Sequence, residues 1–235
     1  MATYLLVHGA FHGGWCWRRV ADRLRAAGHD VLTPTLTGLG ERRHMLRPEI
    51  DLDWHIRDIL GVIEAEELAD FILVGHSYGG MVVTGVADKT AAPLRALVYL
   101  DAFLPDDGQA VADLAGPEFK MLEEMIRLQG EGWRIPALPP EAFGVTAPDD
   151  VAWLNRHLGP HPAASFTQPI RLKGPQAPPG ARVYIPCTQP AMGLYDALAA
   201  RLKADPAWAV HPLATGHDAM VTAPDAVAEI LLDHA

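Results

Sequence analysis

Cysteine is nearly absent from this chain: 235 residues carry two, Cys16 and Cys187. Two thiols so far apart give neither a disulfide framework nor the close spacing of a metal-binding motif, so burial must hold the fold and no metal or cofactor is expected. Positive charge is scarce too. Lys and Arg number 19 against 29 Asp and Glu, a formal net charge of −10, and the basic clusters stop at Arg18-Arg19 and Arg42-Arg43. That balance argues against nucleic acid and anionic membrane as partners and for a small neutral molecule, with a homodimer left open. No apolar run reaches the roughly 18 residues of a spanning helix. The chain passes straight into Tyr4-Leu5-Leu6-Val7 with no basic leader before it, so a cytoplasmic protein is expected. At 49 % hydrophobic residues it can bury a sizeable core in one domain with an insertion.

The chain is organised around Phe71-Ile72-Leu73-Val74-Gly75-His76-Ser77-Tyr78-Gly79-Gly80. Four apolar residues run into G-x-S-x-G, and Met81 to Ala87 continue as a buried helix. A bare G-x-S-x-G arises often by chance. Between a strand and a helix it describes a sharp turn that holds its serine at a strained backbone angle and exposes the hydroxyl, provided the flanking glycines lack the Cβ atoms that would clash.

Around this stretch, strands and helices alternate. Tyr4–Val7, His29–Pro34, Leu94–Leu100, Arg182–Ile185 and Trp208–His211 read as further strands. Stripes at Trp15–Ala27 (closed by Gly28), Leu52–Ala65, Tyr195–Lys203 and Ala223–Leu232 read as helices. The expected fold is α/β: six mainly parallel strands covered by helices on both faces. The core takes residues 1–104 and 181–235. Segment 105–180, rich in Pro and Gly, breaks the alternation and is too long for a structureless loop, so it should form a helical cap, with helices near 117–128 and 149–158.

Ligands of open α/β sheets bind beyond the carboxyl ends of the strands, which points to few residues. Ser77 needs a base, and His217 follows the last strand in the order nucleophile, acid, base. The loop after Ile185, the usual place for the acid, holds no carboxylate before Asp196. Asp101, ending the strand beside the nucleophile strand, is therefore the expected acid, with Asp196 the alternative; Asp218 is too close in sequence to His217 to meet its ring. Two fixed N–H donors should hold the oxyanion: Tyr78 at the helix start and Ala10 in the glycine-rich turn after the first strand. His157 and His161 have the i, i+4 spacing of metal ligands, but Gly159 and Pro160 break the helix between them, so no metal site is expected there.

His8-Gly9-Ala10-Phe11-His12-Gly13-Gly14-Trp15, Gly75-His76-Ser77-Tyr78-Gly79-Gly80 and Gly216-His217-Asp218 together resemble the α/β-hydrolase branch that holds plant methyl esterases, hydroxynitrile lyases and small bacterial esterases. The resemblance implies the α/β-hydrolase fold, a Ser77–His217 pair, an oxyanion hole at Ala10 and Tyr78, and an apolar pocket under a cap. The acid loop departs from the branch. Lyases of the branch look for threonine at Gly9 and lysine after the histidine, where this chain has Gly9 and Asp218, and a negative Asp218 would repel cyanide. The expected activity is hydrolysis of a small, hydrophobic, uncharged carboxylic or carbamate-type ester through an acyl-enzyme. A lyase and a ligand-binding receptor module are the alternatives. Met121, Met125, Trp133, Phe143 and Trp153 from the cap, with Phe11, His12 and Trp15 beside the oxyanion turn, are the expected substrate-binding residues.

Overall fold

The computed structural model describes residues 1–173 and 180–235; the last part of the expected cap, 174–179, lies outside them. Strand β1 (Thr3–Val7) leads through a short 3-10 turn into helix α1 (Arg18–Ala26), which buries Val20, Ala21 and Leu24 and gives way at Gly28 with φ +87°. Strand β2 (Asp30–Leu32) follows. Helix α2 (Leu52–Ala65) is capped by the Asp51 carboxylate, which accepts the Trp54 amide at 2.9 Å. Then come β3 (Phe71–His76), α3 (Gly79–Lys89) and β4 (Leu94–Leu100).

Segment 105–180 contains α4 (Val111–Ala115), α5 (Phe119–Gln129), β5 (Arg134–Ile135), α6 (Pro148–His157), β6 (His161–Pro162) and α7 (Ala164–Thr167). Strands β5 and β6 pair antiparallel, and the Gly108 and Ile170 amides donate to the Ile170 and Gln109 carbonyls at 2.9 Å each, so the two ends of the segment are laced together. Strand β7 (Ala181–Ile185), α8 (Asp196–Lys203), β8 (Ala209–Val210), α9 (Ala219–Thr222) and α10 (Pro224–Leu232) complete the chain.

The main sheet has six parallel strands in the order β2-β1-β3-β4-β7-β8. All six residues of β3 are buried, as its unbroken apolar run requires of a strand covered on both faces. The chain leaves β1 in one direction for β2 and returns past it to β3. Right-handed crossovers therefore put α1 on one face, where it packs on α10, and α2 on the other, where it packs on α3. Between the carboxyl ends of β1 and β3 the winding reverses, and that crevice is where such sheets receive ligands. No helix among the described residues is long and apolar enough to cross a membrane.

Candidate active site

Ser77 follows the last residue of β3 with φ +54°, in the left-handed region that ordinarily suits glycine. Such a conformation costs on the order of 1 kcal/mol or more and persists only where the surroundings impose it. Here the Ser77 amide donates to the Leu100 carbonyl at 3.2 Å, and its carbonyl accepts from Gly80 at 3.0 Å and Phe103 at 3.2 Å. The flanking glycines permit the approach: a Cβ on Gly75 would lie 2.7 Å from the Gly79 carbonyl oxygen, and one on Gly79 would lie 2.8 Å from that of Val7.

His217 stands in the loop before α9 and is buried. Its Nδ1 donates to Asp101 Oδ2 at 2.6 Å, while Asp101 Oδ1 accepts the Cys187 amide at 3.0 Å. Asp101 takes φ +42° just past β4, and its amide donates to the Ile185 carbonyl at 2.8 Å, so the ends of β4 and β7 together aim the carboxylate. Asp196 is exposed at the first turn of α8. The His217 ring lies between those of Tyr195, parallel to it within 7° at 5.7 Å, and Phe143 at 6.1 Å.

Among the described residues, neither the Ala10 amide nor the Tyr78 amide meets an intramolecular acceptor, so both are free to serve a bound group. The Tyr78 ring stacks on Phe166 at 5.3 Å, and its hydroxyl donates to His55 Nδ1 at 2.8 Å. Burial pushes His55 down to about 4, which keeps that nitrogen an acceptor. The turn holding Ala10 presses against the nucleophile: a Cβ on Gly9 would lie 2.9 Å from both Ser77 Cβ and His76 Nδ1.

Ser77, His217 and Ala10 open on a cavity of about 140 Å³, against roughly 10–15 Å³ on that measure for one water, which is room for a small organic molecule. Of the residues expected from sequence to bind substrate, Phe11, His12, Met121 and Phe143 line it. Trp15, Met125, Trp133 and Trp153 do not, and each has a reason. Trp15 is stacked on His12 and wedged against Trp153 and His157, one layer behind the wall. Trp153 also lies under the Arg19 guanidinium. Met125 is a turn beyond Met121 and Leu122 on α5, and Trp133, past the end of that helix, faces Arg134. The sequence reading missed Phe103, Leu138, Phe166 and Met192 in the wall. It also missed Tyr195, whose signal was its place at the head of the helix just past the loop dismissed for lacking a carboxylate. Burial pushes the Tyr195 phenol up, with the Ser77 side chain opposing, so its proton stays on.

Asp218 was expected not to meet the His217 ring. It is fully buried and instead accepts from His12 Nε2 at 3.0 Å, and it does not line the cavity. His157 and His161 also part company. His157 donates to the Trp153 carbonyl at 2.7 Å on α6, and His161 to Ser165 Oγ at 2.8 Å in the core. Among the described residues no group of three or more His, Cys, Asp or Glu could hold a metal.

A model of the Alpha/beta hydrolase family matches residues 4–230. A "Carbendazim hydrolyzing esterase" from Nocardioides sp. (strain SG-4G) is 45 % identical over 241 residues, covering 98 % of this chain and 98 % of that protein. The "Alpha-hydroxynitrile lyase" of Arabidopsis thaliana is 34 % identical over 104 residues, 44 % of this chain and 40 % of that one. Among solved structures, an extracellular alpha/beta-hydrolase from a Paenibacillus species, with structural and functional homology to tobacco Salicylic Acid Binding Protein 2, superposes with a TM-score of 0.86 at 25 % identity. That match covers 100 % of this chain and 99 % of that one. With its sheet order and a full-length esterase relative both on record, the chain belongs to the alpha/beta hydrolase family, as a carboxylic ester hydrolase.

Proposed function

We propose that this hydrolase cleaves a small, hydrophobic, uncharged ester, carbamate-type esters included, through an acyl-enzyme on Ser77. The observation that carries the reading is the meeting, on one apolar cavity, of a strained serine, a histidine bonded to a carboxylate, and the unengaged Ala10 amide, with the unengaged Tyr78 amide next to the serine in the chain. Asp101 fixes the proton of His217 on Nδ1 and leaves Nε2 to take the Ser77 proton as Oγ attacks the ester carbonyl. The Ala10 and Tyr78 amides hold the oxyanion, a donor of this kind being worth about 3 kcal/mol of barrier. His217 then returns the proton to the departing alcohol. Water, activated by the same nitrogen, releases the acid. A carbamate would leave as a carbamic acid that loses carbon dioxide, and the relative named for hydrolysing carbendazim supports that extension.

Segment 105–180 is read as a cap on the core 1–104 and 181–235, because its residues Val111, Met121, Leu122, Leu138, Phe143 and Phe166 form much of the cavity wall. Two buried, unpaired thiols suit a reducing cytoplasm. The lyase alternative is disfavoured by the contact of Gly9 with Ser77, which leaves no space for a threonine side chain. Asp218 does not bear on cyanide directly, because its carboxylate is bonded to His12 and does not line the cavity.

The test is a time course on a short-chain nitrophenyl ester during titration with a serine-directed covalent inhibitor. Many turnovers, abolished by one equivalent of label on Ser77 and absent in Ser77→Ala, are expected. A single-turnover burst would favour the receptor alternative, and turnover retained in Ser77→Ala would remove the nucleophile.

A further inference from the structure

Six histidines are buried among the described residues, and the hydrogen-bond partners of each define its protonation. His8 donates Nδ1 to the Gly9 carbonyl at 2.8 Å and accepts the Leu36 amide on Nε2 at 3.1 Å. His55 accepts from Tyr78 and donates Nε2 to the Thr37 carbonyl at 3.0 Å. His161 donates Nε2 to Ser165, whose own proton goes to the Pro162 carbonyl. His76 donates Nε2 to the His217 carbonyl at 3.0 Å and leaves Nδ1 without a partner. His217 donates Nδ1 to Asp101. Each of these five rings needs only one proton.

His12 differs. Its Nδ1 lies 2.7 Å from the Ala10 carbonyl oxygen and its Nε2 lies 3.0 Å from Asp218 Oδ2. A carbonyl oxygen cannot donate, and of an imidazole and a carboxylate sharing one proton the imidazole is the stronger base. Both ring nitrogens therefore carry protons, and an imidazolium and a carboxylate are enclosed together at 1 % and 0 % exposure. The groups facing the pair do not disturb it. His76, with Nε2 3.9 Å from Asp218 Oδ1, and His8 are held neutral by burial; the Cys16 and Cys187 thiols keep their protons for the same reason; His217 carries its own counter-carboxylate.

The pair joins two loops from opposite ends of the chain. One end grips the carbonyl of Ala10. The other is the residue after His217, itself fixed by its amide on the Phe143 carbonyl at 3.2 Å. Neither partner offers a polar atom to substrate, because Asp218 does not line the cavity and both nitrogens of His12 are occupied.

We propose that His12 and Asp218 are positioning residues, a permanently ionised pair that holds the Ala10 turn in register with the His217 loop so that the oxyanion donor and the base meet the same transition state. This rests on the reading of Ala10 as an oxyanion donor. Neutralising one partner strands a buried charge and releases the turn; neutralising both removes the stranded charge.

The first test uses the wild-type protein with ¹⁵N-labelled histidine. The His12 ring is expected to show two protonated nitrogens throughout about pH 5.5 to 9, across the range where an ordinary histidine titrates. A single-tautomer neutral signal at the upper end overturns the proposal. The second compares Asp218→Asn, His12→Gln and the double variant. Each single change is expected to lower kcat roughly 10- to 100-fold, a fraction of the cost of deleting a donor, with KM within about threefold. Affinity for a trifluoromethyl ketone, which forms a tetrahedral adduct on the serine, should fall in parallel. The double variant should recover part of the loss. Strictly additive losses, or a fall in Tm with kcat and ketone affinity unchanged, overturn it. Failure of the esterase reading would appear separately, as turnover retained in Ser77→Ala with the histidine spectrum unaltered.

Discussion

Asp101 satisfies two demands with one side chain, since one carboxylate oxygen takes the His217 ring proton and the other the Cys187 amide. Asp101→Asn keeps the shape and turns an N–H toward one of those donors. By the magnitude seen when the carboxylate of a serine triad becomes an amide, turnover should fall about 10⁴-fold, with Asp196→Asn near wild type in the same assay. The converse pattern would move the acid to Asp196. For Tyr195→Phe, which keeps the ring over His217 and deletes a phenol beside Ser77, a fall of roughly 5- to 10-fold in kcat is expected, the worth of one hydrogen bond. No change would reduce Tyr195 to a wall. Ser77 and His217 were legible in the sequence because each sits in a short local motif, and Asp101 because the usual acid loop is empty. The bond between His12 and Asp218 was not, since 206 positions separate them and only the fold brings loops from β1 and α9 together.

At the scale of elements, the turn between β3 and α3 is a tight joint. A methyl group on Gly80 would overlap the carbonyl oxygen of Phe103, a backbone atom that cannot rotate aside. Gly80→Ala should cost stability toward the upper end of roughly 1–3 kcal/mol and shift the urea midpoint accordingly; an unchanged midpoint would show that the joint yields. The longer strands and helices were readable because each carries its apolar pattern for several residues, as Phe71–Val74 and Leu52–Ala65 do, and the short β2 and β8 were placed by the alternation of strand and helix around them. Strands β5 and β6 were not. They hold two residues each, one of them Pro162, and no period can be read from a pair. Helices α4, α7 and α9 are similarly short, and the side chains that reach the cavity from 105–180 depend on how these pieces pack, so the sequence could not separate Met121, which lines the cavity, from Met125, which does not.

For the whole molecule, the neutral buried histidines set the response to acid. Burial pushes His8 down to about 3 and His55 to about 4, and holds His76 and His161 well below the ordinary value. The unfolded chain takes up these protons near pH 6.5, so below that pH the unfolded state binds more of them and stability falls as pH falls. Four such groups weaken the fold by up to about 5 kcal/mol per pH unit, against a total of about 5–15 kcal/mol for a typical domain. Asp218, held below the usual carboxylate range by His12 against the opposing effect of burial, adds a loss in the same direction at lower pH. His12, raised by Asp218 against burial, contributes stability that is lost only as pH climbs through its folded value. The urea midpoint should therefore drop steeply between about pH 6.5 and 5, and a flat profile there would contradict the neutral assignments. Because the carboxylate bonded to His217 stands past β4, the stretch between β7 and α8 holds no part of the proposed proton relay, yet it supplies Met192, Leu194 and Tyr195 to the cavity. A lineage can rewrite Met192 and Leu194 to suit a new ester while the machinery that breaks the bond is inherited intact.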